Sequence, residues 1–420
     1  RPARFFETPI AIHLIGYLDG DGNGAAGMEK SYNDILADGA DKTFVRCTVT
    51  ASGGLMQGTV PELFTQPGSG NAVQLTLSLP IQRICEGLAK TRLKTGAVLV
   101  LDTKTGEILG LSSVPEYDPL DVAKSIQQND TALLCRALCA YNVGSVFKPI
   151  VAAAALESGI DPAEPFECTG EIEVAGHIYH CANNKAHGSV ALTGALGQSC
   201  NCYFIELAER IGAKDLSAMA RKLGFGRATM LWDGFAGAAG NLPSEQELML
   251  PGELASFGFG QGKLLATPIQ LAASLNAIAN GGIYKTPTAV RGVVNAQSGA
   301  LIAPGPARES FRVLKQETAA TLNAMLEKVV TEGIASAAAP DYGTAGGKTG
   351  TAQTGRKNAQ GSELCDAWFA GFYPAIAPRY TIVLMEDSTT RSGEALAPVF
   401  AELCNNLALL EKHKIPCKQQ

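Results

Sequence analysis

The sequence predicts an α+β fold: an antiparallel sheet flanked by helices, with an all-helical insertion between its strands and a small module ahead of it. Two observations predict it. Strand-like text stands towards both ends of the chain, and helix-like text fills the middle. Ala97-Val98-Leu99-Val100-Leu101-Asp102 and Glu107-Ile108-Leu109-Gly110-Leu111 flank Thr103-Lys104-Thr105-Gly106, a hairpin signal. Ala367-Trp368-Phe369-Ala370-Gly371-Phe372 and Tyr380-Thr381-Ile382-Val383-Leu384-Met385 supply the returning strands. Between residues 120 and 290 the text is mostly helical, jointed at Gly224-Phe225-Gly226 and Gly258-Phe259-Gly260-Gln261-Gly262.

The 420 residues exceed one simple core, so more than one domain is expected. Pro67-Gly68-Ser69-Gly70 marks a boundary, giving a module at 1–70 and a main domain at 71–420. With 46% hydrophobic and 18% charged residues, the chain is a folding one and not a disordered one. Its net charge of −6 and its lack of a long Lys/Arg run argue against a nucleic-acid partner. No stretch of 18 apolar residues occurs, and the chain opens at Arg1-Pro2 without Met or a signal peptide. It therefore reads as trimmed, with an N-terminal anchor lost. Asp19-Gly20-Asp21-Gly22-Asn23-Gly24 imitates a calcium loop, but its twelfth position is Lys30, so a turn is expected. Val73 to Leu79 alternates as a strand, followed by a helix from Pro80. Gln316 to Glu332 and Ala395 to Leu410 read as helices.

Three stretches carry chemistry. In Gly144-Ser145-Val146-Phe147-Lys148-Pro149, an Ala-rich run follows at once, and Pro149 fits a helix only in its first turn. The helix then starts near Gly144 or Ser145, with Ser145 at its N-terminus and Lys148 one turn on, on the same face. A neutral Lys148 can take the Ser145 proton, and an apolar pocket or a second cation drives lysine towards neutrality. Alone, this pair is also what a solvated helix start looks like. The second stretch is Ser199-Cys200-Asn201, where Ser199 is either a helix cap or a proton relay and Asn201 a partner for Lys148. The third is Lys348-Thr349-Gly350-Thr351 on a strand, with Lys348 and Gly350 facing one way and Thr349 and Thr351 the other. Lys348 there is either an ordinary solvated lysine or a source of positive potential, and Gly350 admits a close backbone approach.

Ser-x-x-Lys, then Ser-x-Asn, then Lys-Thr-Gly, in that order, resembles the penicillin-binding protein and serine β-lactamase superfamily. The chain is most similar to its class B penicillin-binding proteins, the monofunctional peptidoglycan transpeptidases. His13-Leu14-Ile15-Gly16-Tyr17 and Gly27-Met28-Glu29 resemble that family's N-terminal pedestal, and Asp102 to Leu109 its opening hairpin. His187-Gly188, Thr267-Pro268-Ile269-Gln270, Ile278-Ala279-Asn280-Gly281-Gly282 and Trp368 to Phe372 extend the likeness over residues 8–405. Departures are Val143 where relatives often have Pro, Val146 in place of Thr, Cys135 in place of Asn, and Asp366 in place of His.

The resemblance implies a penicillin-binding transpeptidase fold with residues 1–70 as the remnant of a pedestal. It implies that Ser145 attacks the carbonyl between the terminal D-alanines of a stem peptide, with Lys148 as base. Ser199 would pass the proton to the leaving D-alanine, and Asn201 would hold Lys148 and a substrate amide. The N–H groups of Ser145 and Thr351 would form the oxyanion hole, and Lys348, Thr349, Gly350 and Thr351 the carboxylate-binding strand. No metal or organic cofactor is implied. Implied partners are stem peptides ending in D-Ala-D-Ala, β-lactams and cell-wall partners such as a glycosyltransferase, at the extracytoplasmic face of a bacterial membrane. The alternatives are a D,D-carboxypeptidase or β-lactamase on the same fold, and a non-catalytic β-lactam sensor. A β-lactamase needs a group to activate water, and Glu157, Glu167, Glu171 and Glu173 are the candidates.

The eleven cysteines form no disulfide framework by spacing. Cys168, His180, Cys181 and His187 could form a zinc site, or Cys168 and Cys181 a disulfide. Ordinary loop and core residues are the preferred reading.

Overall fold

A computed structural model describes residues 8–414, with side chains to 412. The Arg1-Pro2 start and Cys417 lie outside the described residues. The expected hairpin forms β1 (Gly96–Asp102) and β2 (Ile108–Val114). The returning strands are β3 (Gly346–Lys357), β4 (Glu363–Tyr373) and β5 (Tyr380–Thr389). Together they make one antiparallel five-stranded sheet in the order β3-β4-β5-β1-β2. The two chain ends thus meet where β5 pairs with β1, Tyr380 opposite Asp102 through Glu386 opposite Gly96.

In β1 and in most of β5 consecutive residues are buried, so both sheet faces are covered. On one face lie α1 (Leu79–Arg92) and the C-terminal helix, α6 (Ala397–Lys414). Gly110, Val100, Ile382 and Gly371 stand opposite one another in successive strands. The two glycines of that row admit these helices. A Cβ on Gly110 would lie 2.8 Å from Cys85 Sγ of α1, and one on Gly371 would lie 2.8 Å from the Phe400 ring of α6. The other face takes α4 (Pro268–Ala279), whose Thr267 and Gln270 form a capping box. Asn276 of α4 accepts a bond from Thr381 Oγ1 at 2.9 Å and donates to the Thr103 carbonyl at 3.2 Å, so α4 is fixed to both β5 and the hairpin turn.

The insertion supplies α2 (Lys148–Glu157) and α3 (Asn201–Ile211), and α5 (Gln316–Thr331) packs against β3. It also carries ladders that helical text did not announce. Phe166–Cys168 pairs with Gly188–Val190, and Glu171–Val174 with His177–His180. The second is a tight hairpin because Ala175 (φ 52°) and Gly176 (φ 80°) both adopt positive φ, the requirement of its two-residue turn. Asn71–Leu75 forms a strand as expected but joins Val290–Asn295 and Leu301–Pro304 in a separate sheet.

The Asp19 loop is a turn: Asp19 Oδ1 accepts the N–H groups of Asp21 and Asn23. Residues 11–14 dock on the sheet domain, with Ala11 N donating to Glu86 of α1 at 2.7 Å and the Tyr117 hydroxyl to Ile12 O at 2.8 Å. The ladder Lys42–Arg46 with Glu62–Gln66 is exposed along its length.

Gly371→Ala should lower the melting temperature by several degrees, because the added methyl also meets the Gly346 carbonyl at 2.5 Å. A shift below about 1 °C would show that α6 and β3 can both retreat.

Candidate active site

The nucleophile turn is set by glycine. Gly144 has φ 66°, and its N–H donates to Gly260 O at 2.7 Å. A Cβ on Gly260 would fall 2.0 Å from the Gly144 carbonyl, and one on Gly144 would fall 3.0 Å from Thr351 O. The turn is therefore held between the Gly260 loop and β3. Gly144–Phe147 is a single 3₁₀ turn, and α2 begins at Lys148 with Pro149 in its first turn, as expected. Side chains three apart eclipse in a 3₁₀ turn, so Ser145 and Lys148 share one side. Phe147 anchors the turn beneath, its ring 5.3 Å from Phe225 and 4.9 Å from Phe257.

Lys148 is fully buried. Its Nζ lies 2.7 Å from Ser199 O, 3.1 Å from Ser199 Oγ and 2.8 Å from Asn201 Oδ1. Asn201 Nδ2 donates to His180 O at 2.9 Å, which turns the amide oxygen towards Lys148. Burial lowers the Lys148 pKa to about 7. The neighbouring thiols of Cys200, Cys181 and Cys202 act in the opposite sense. Burial, and not a second cation, is what drives Lys148 towards neutrality. Of the three partners, only the Ser199 hydroxyl can also donate. When Lys148 is neutral, its lone pair can therefore face Ser199 Oγ–H, which makes Ser199 the natural proton relay.

Ser199 is not the helix cap. The cap of α3 is Cys200, whose Sγ accepts from Tyr203 N at 3.4 Å. Ser199 sits before it in the left-handed region, φ 54°, a strained conformation for serine that directs it to the lysine. Lys348 is likewise not a solvated lysine. It is 1% exposed and donates to Thr349 O at 3.2 Å. Burial and then the Lys148 charge hold its pKa well below the usual lysine value, while Glu394 opposes them. Gly350 has a more local reason than substrate approach, since a Cβ there would meet Val146 Cγ1 of the nucleophile turn at 2.9 Å.

A cleft of about 730 Å³ opens on these groups and is lined by Ser145, Ser199, Asn201, Thr349, Gly350 and Thr351. All eight expected site residues thus meet: six line the cleft, and the two lysines lie buried behind it. Glu394 also lines the cleft and was missed, because a glutamate in the short 3₁₀ turn Gly393–Leu396 carries no local signal. Gly393 N donates to Thr351 Oγ1 at 2.9 Å and ties that turn to β3. Among the lining residues Glu394 is the sole carboxylate. Glu157 instead accepts from Lys315 N, and Glu171 faces His180.

Of the departures, Asp366 is buried and accepts from Asn142 N at 3.1 Å, Asn142 Nδ2 at 3.2 Å and Ser388 N at 3.2 Å. It joins the segment ahead of the nucleophile turn to β4 and β5, and burial raises its carboxyl pKa. Burial pushes the Cys135 thiol up to about 12.

The cysteines behave differently from ordinary core residues. Cys168, Cys181, Cys200 and His187 converge, their ligand atoms all within 4.8 Å of one another, and Cys202 Sγ lies 3.4 Å from Cys181 Sγ. Cys200 and Cys202 were not foreseen in this cluster. His180 stays outside it, its ring 3.7 Å from the Glu171 carboxylate. The Cys168 and Cys181 sulfurs are 3.7 Å apart, so they are free thiols and not a disulfide.

Residues 96–405 match the family described as penicillin binding protein transpeptidase domain. The chain belongs to that family. Among its relatives, penicillin-binding protein PbpB of Mycolicibacterium smegmatis is 31% identical over 97% of this chain and 64% of its own length. Stage V sporulation protein D of Bacillus subtilis is 30% identical over 94% and 61%. The chain thus spans less than two thirds of these curated relatives. The D,D-transpeptidase domain of a peptidoglycan glycosyltransferase from Eggerthella lenta superposes with a TM-score of 0.78 at 28% identity, covering 97% of this chain and 91% of that one. Penicillin-binding protein 3 of Mycobacterium tuberculosis, in complex with aztreonam, gives 0.77 at 28% identity, covering 97% and 89%. Among the described residues of this penicillin-binding family member, no helix is long and apolar enough to cross a membrane.

In protein labelled with ¹³C at lysine Cε, the Lys148 resonance should move between about pH 6 and 8, unlike the exposed lysines. The resonance is assigned by its loss in Lys148→Arg. A midpoint near 10 would mean that the ammonium persists in the free enzyme and that burial is not the controlling effect.

Proposed function

We propose that this chain is the catalytic portion of a peptidoglycan D,D-transpeptidase that cross-links stem peptides through an acyl-Ser145 intermediate. The observation that carries this reading is the buried, near-neutral Lys148 wired to Ser199 and Asn201 beside Ser145. A general base works best with a pKa near the operating pH, and burial brings Lys148 to about 7.

In this mechanism a stem peptide ending in D-Ala-D-Ala lies along β3, an edge strand whose Thr349, Gly350 and Thr351 line the cleft. Thr349 and Thr351 receive its terminal carboxylate, whose charge favours the ammonium form of Lys348 behind them. Lys148 accepts the Ser145 proton as Ser145 Oγ attacks the penultimate carbonyl, and the N–H groups of Ser145 and Thr351 bind the oxyanion. The proton passes through Ser199 to the amine of the departing D-alanine. An amine from a second stem then attacks the ester, returning its proton by the same route, and Ser145 is released. A β-lactam enters by the same attack and stays, because its leaving group remains attached.

The site's position in a cell-wall complex follows from the same reading. Residues 1–70 are the remnant of a pedestal, a further anchor holds the protein at the extracytoplasmic face of a bacterial membrane, and a glycosyltransferase is a fitting partner. The exposed ladder at 42–66 and the start of the family match at residue 96 support that division.

Penicillin should add one equivalent at Ser145, and label surviving in Ser145→Ala would remove the serine from its role. Lys148→Arg, which cannot serve as a base at neutral pH, should slow acylation at least about a hundredfold. In the wild type, acylation should rise with pH up to about 7 and level off above it, because the neutral amine is the working form. A rate independent of pH between about 5 and 8 would exclude Lys148 as the base.

The alternative hydrolase is tested by chase. The penicilloyl-enzyme should persist for minutes or longer, a barrier above about 20 kcal/mol, because none of Glu157, Glu167, Glu171 and Glu173 lines the cleft. Loss of label within about a second, abolished by Glu394→Gln, would make this protein a β-lactamase with Glu394 as its water-activating group.

A further inference from the structure

We propose that Cys168, Cys181, His187 and Cys200 bind a zinc-class divalent ion, and that this ion fixes the Ser199–Asn201 segment which holds Lys148. Four donors arrive from four separate places. Cys168 ends the strand Phe166–Cys168, Cys181 follows His177–His180, His187 precedes Gly188–Val190, and Cys200 caps α3. The backbone is shaped to bring them together. Cys181 N donates to Gly170 O and His187 N to Cys168 O. Asn183 (φ 56°) and Asn184 (φ 53°) are both left-handed, folding the loop between Cys181 and His187 back on itself.

Three of the six donor separations match a tetrahedral ion, and all six lie within 4.8 Å. With Zn–S near 2.3 Å and Zn–N near 2.0–2.1 Å, tetrahedral ligands stand about 3.8 Å apart between sulfurs and about 3.6 Å between sulfur and nitrogen. The observed separations are 3.7 Å for Cys168–Cys181, 3.7 Å for Cys181–Cys200 and 3.4 Å for Cys168 Sγ to His187 Nδ1. Disulfide sulfurs would stand at about 2.05 Å. The three cysteines are at most 2% exposed, so their thiols are sheltered from solvent. Cys181 and His187 reach the wall of the cleft, which gives the ion an entry path. Three soft sulfur donors and one imidazole, with no carboxylate among them, select zinc over calcium or magnesium. Each coordinating thiol gives up its proton to solvent, so loading involves no redox change.

The location gives the site its consequence. Cys200 lies between Ser199 and Asn201, the two residues that hold Lys148 Nζ, and Asn201 is oriented by the His180 carbonyl beside Cys181. A metal bridging Cys181 and Cys200 would clamp both supports of the base. His187, Cys168, Cys181 and Cys200 are then positioning residues, acting on Lys148 through Ser199 and Asn201. This second half rests on the acyl-serine chemistry proposed above, whereas metal binding does not.

Protein purified under reduction with zinc present should carry one equivalent of zinc. Reconstituted with cobalt(II) alone, it should show the intense visible and thiolate charge-transfer bands of a tetrahedral site. Cys181→Ser and His187→Ala should weaken binding at least about tenfold, while Cys47→Ser at an exposed position should not. Stripping the wild type with a chelator should slow penicillin acylation about 10- to 100-fold, with recovery on adding zinc. Absence of both stoichiometric zinc and cobalt bands in folded, reduced wild type would overturn the site. So would a peptide map showing Cys181 bonded to Cys200 or Cys202, which makes the cluster a redox pair. Zinc bound tightly but without effect on acylation would overturn the clamp alone. Zinc bound with no acylation of Ser145 under any condition would instead defeat the transpeptidase reading and leave the metal site standing.

Discussion

The site depends on an amine taken out of water. Lys148 is buried to 0% exposure, and its Nζ is held by two oxygens of Ser199 and one of Asn201. Desolvation alone would make the cation costly, and the polar partners stop the amine from becoming an unsatisfied buried group. The balance leaves its pKa at about 7, where proton uptake and release are both easy. The surroundings serve that balance. The Phe204 ring of α3 stands 5.5 Å from Nζ as apolar packing, the strained Ser199 provides the acceptor, and Asn201 is locked by a backbone carbonyl.

The second constraint is close approach. The nucleophile turn is packed between β3 and the Gly260 loop so tightly that Gly144, Gly260 and Gly350 each lack room for a side chain. The turn is fixed by contacts from outside it and by the positive φ of Gly144. Asp366 works in the same spirit, joining the Asn142 segment to the sheet.

These constraints make the sheet the frame of reference for the chemistry. β3 carries Lys348 to Thr351, and the same sheet sits under α4 and over α1 and α6, so the strand cannot shift without repacking both layers. The insertion, by contrast, reaches the cleft through short ladders and the cysteine cluster. Its hold on Ser199 and Asn201 is the place where a bound ion would matter most.

By itself the sequence determined the sheet, the main helices and the eight residues at the site. Each is written in local pattern: short apolar runs bounded by turn residues for β1 and β5, Ala and Pro for α2, and three short motifs for the chemistry. It also placed Ser145 and Lys148 on one side, because a three-residue separation does so in any helical turn. Only the tertiary structure decided which lysines are dry. Burial depends on what packs over a residue, and neither Lys148 nor Lys348 announces that in its neighbours. The same holds for Glu394 and for Cys200 beside Cys168, Cys181 and His187. Their proximity is made by loops distant in sequence, and their spacing follows no local period that the chain could display.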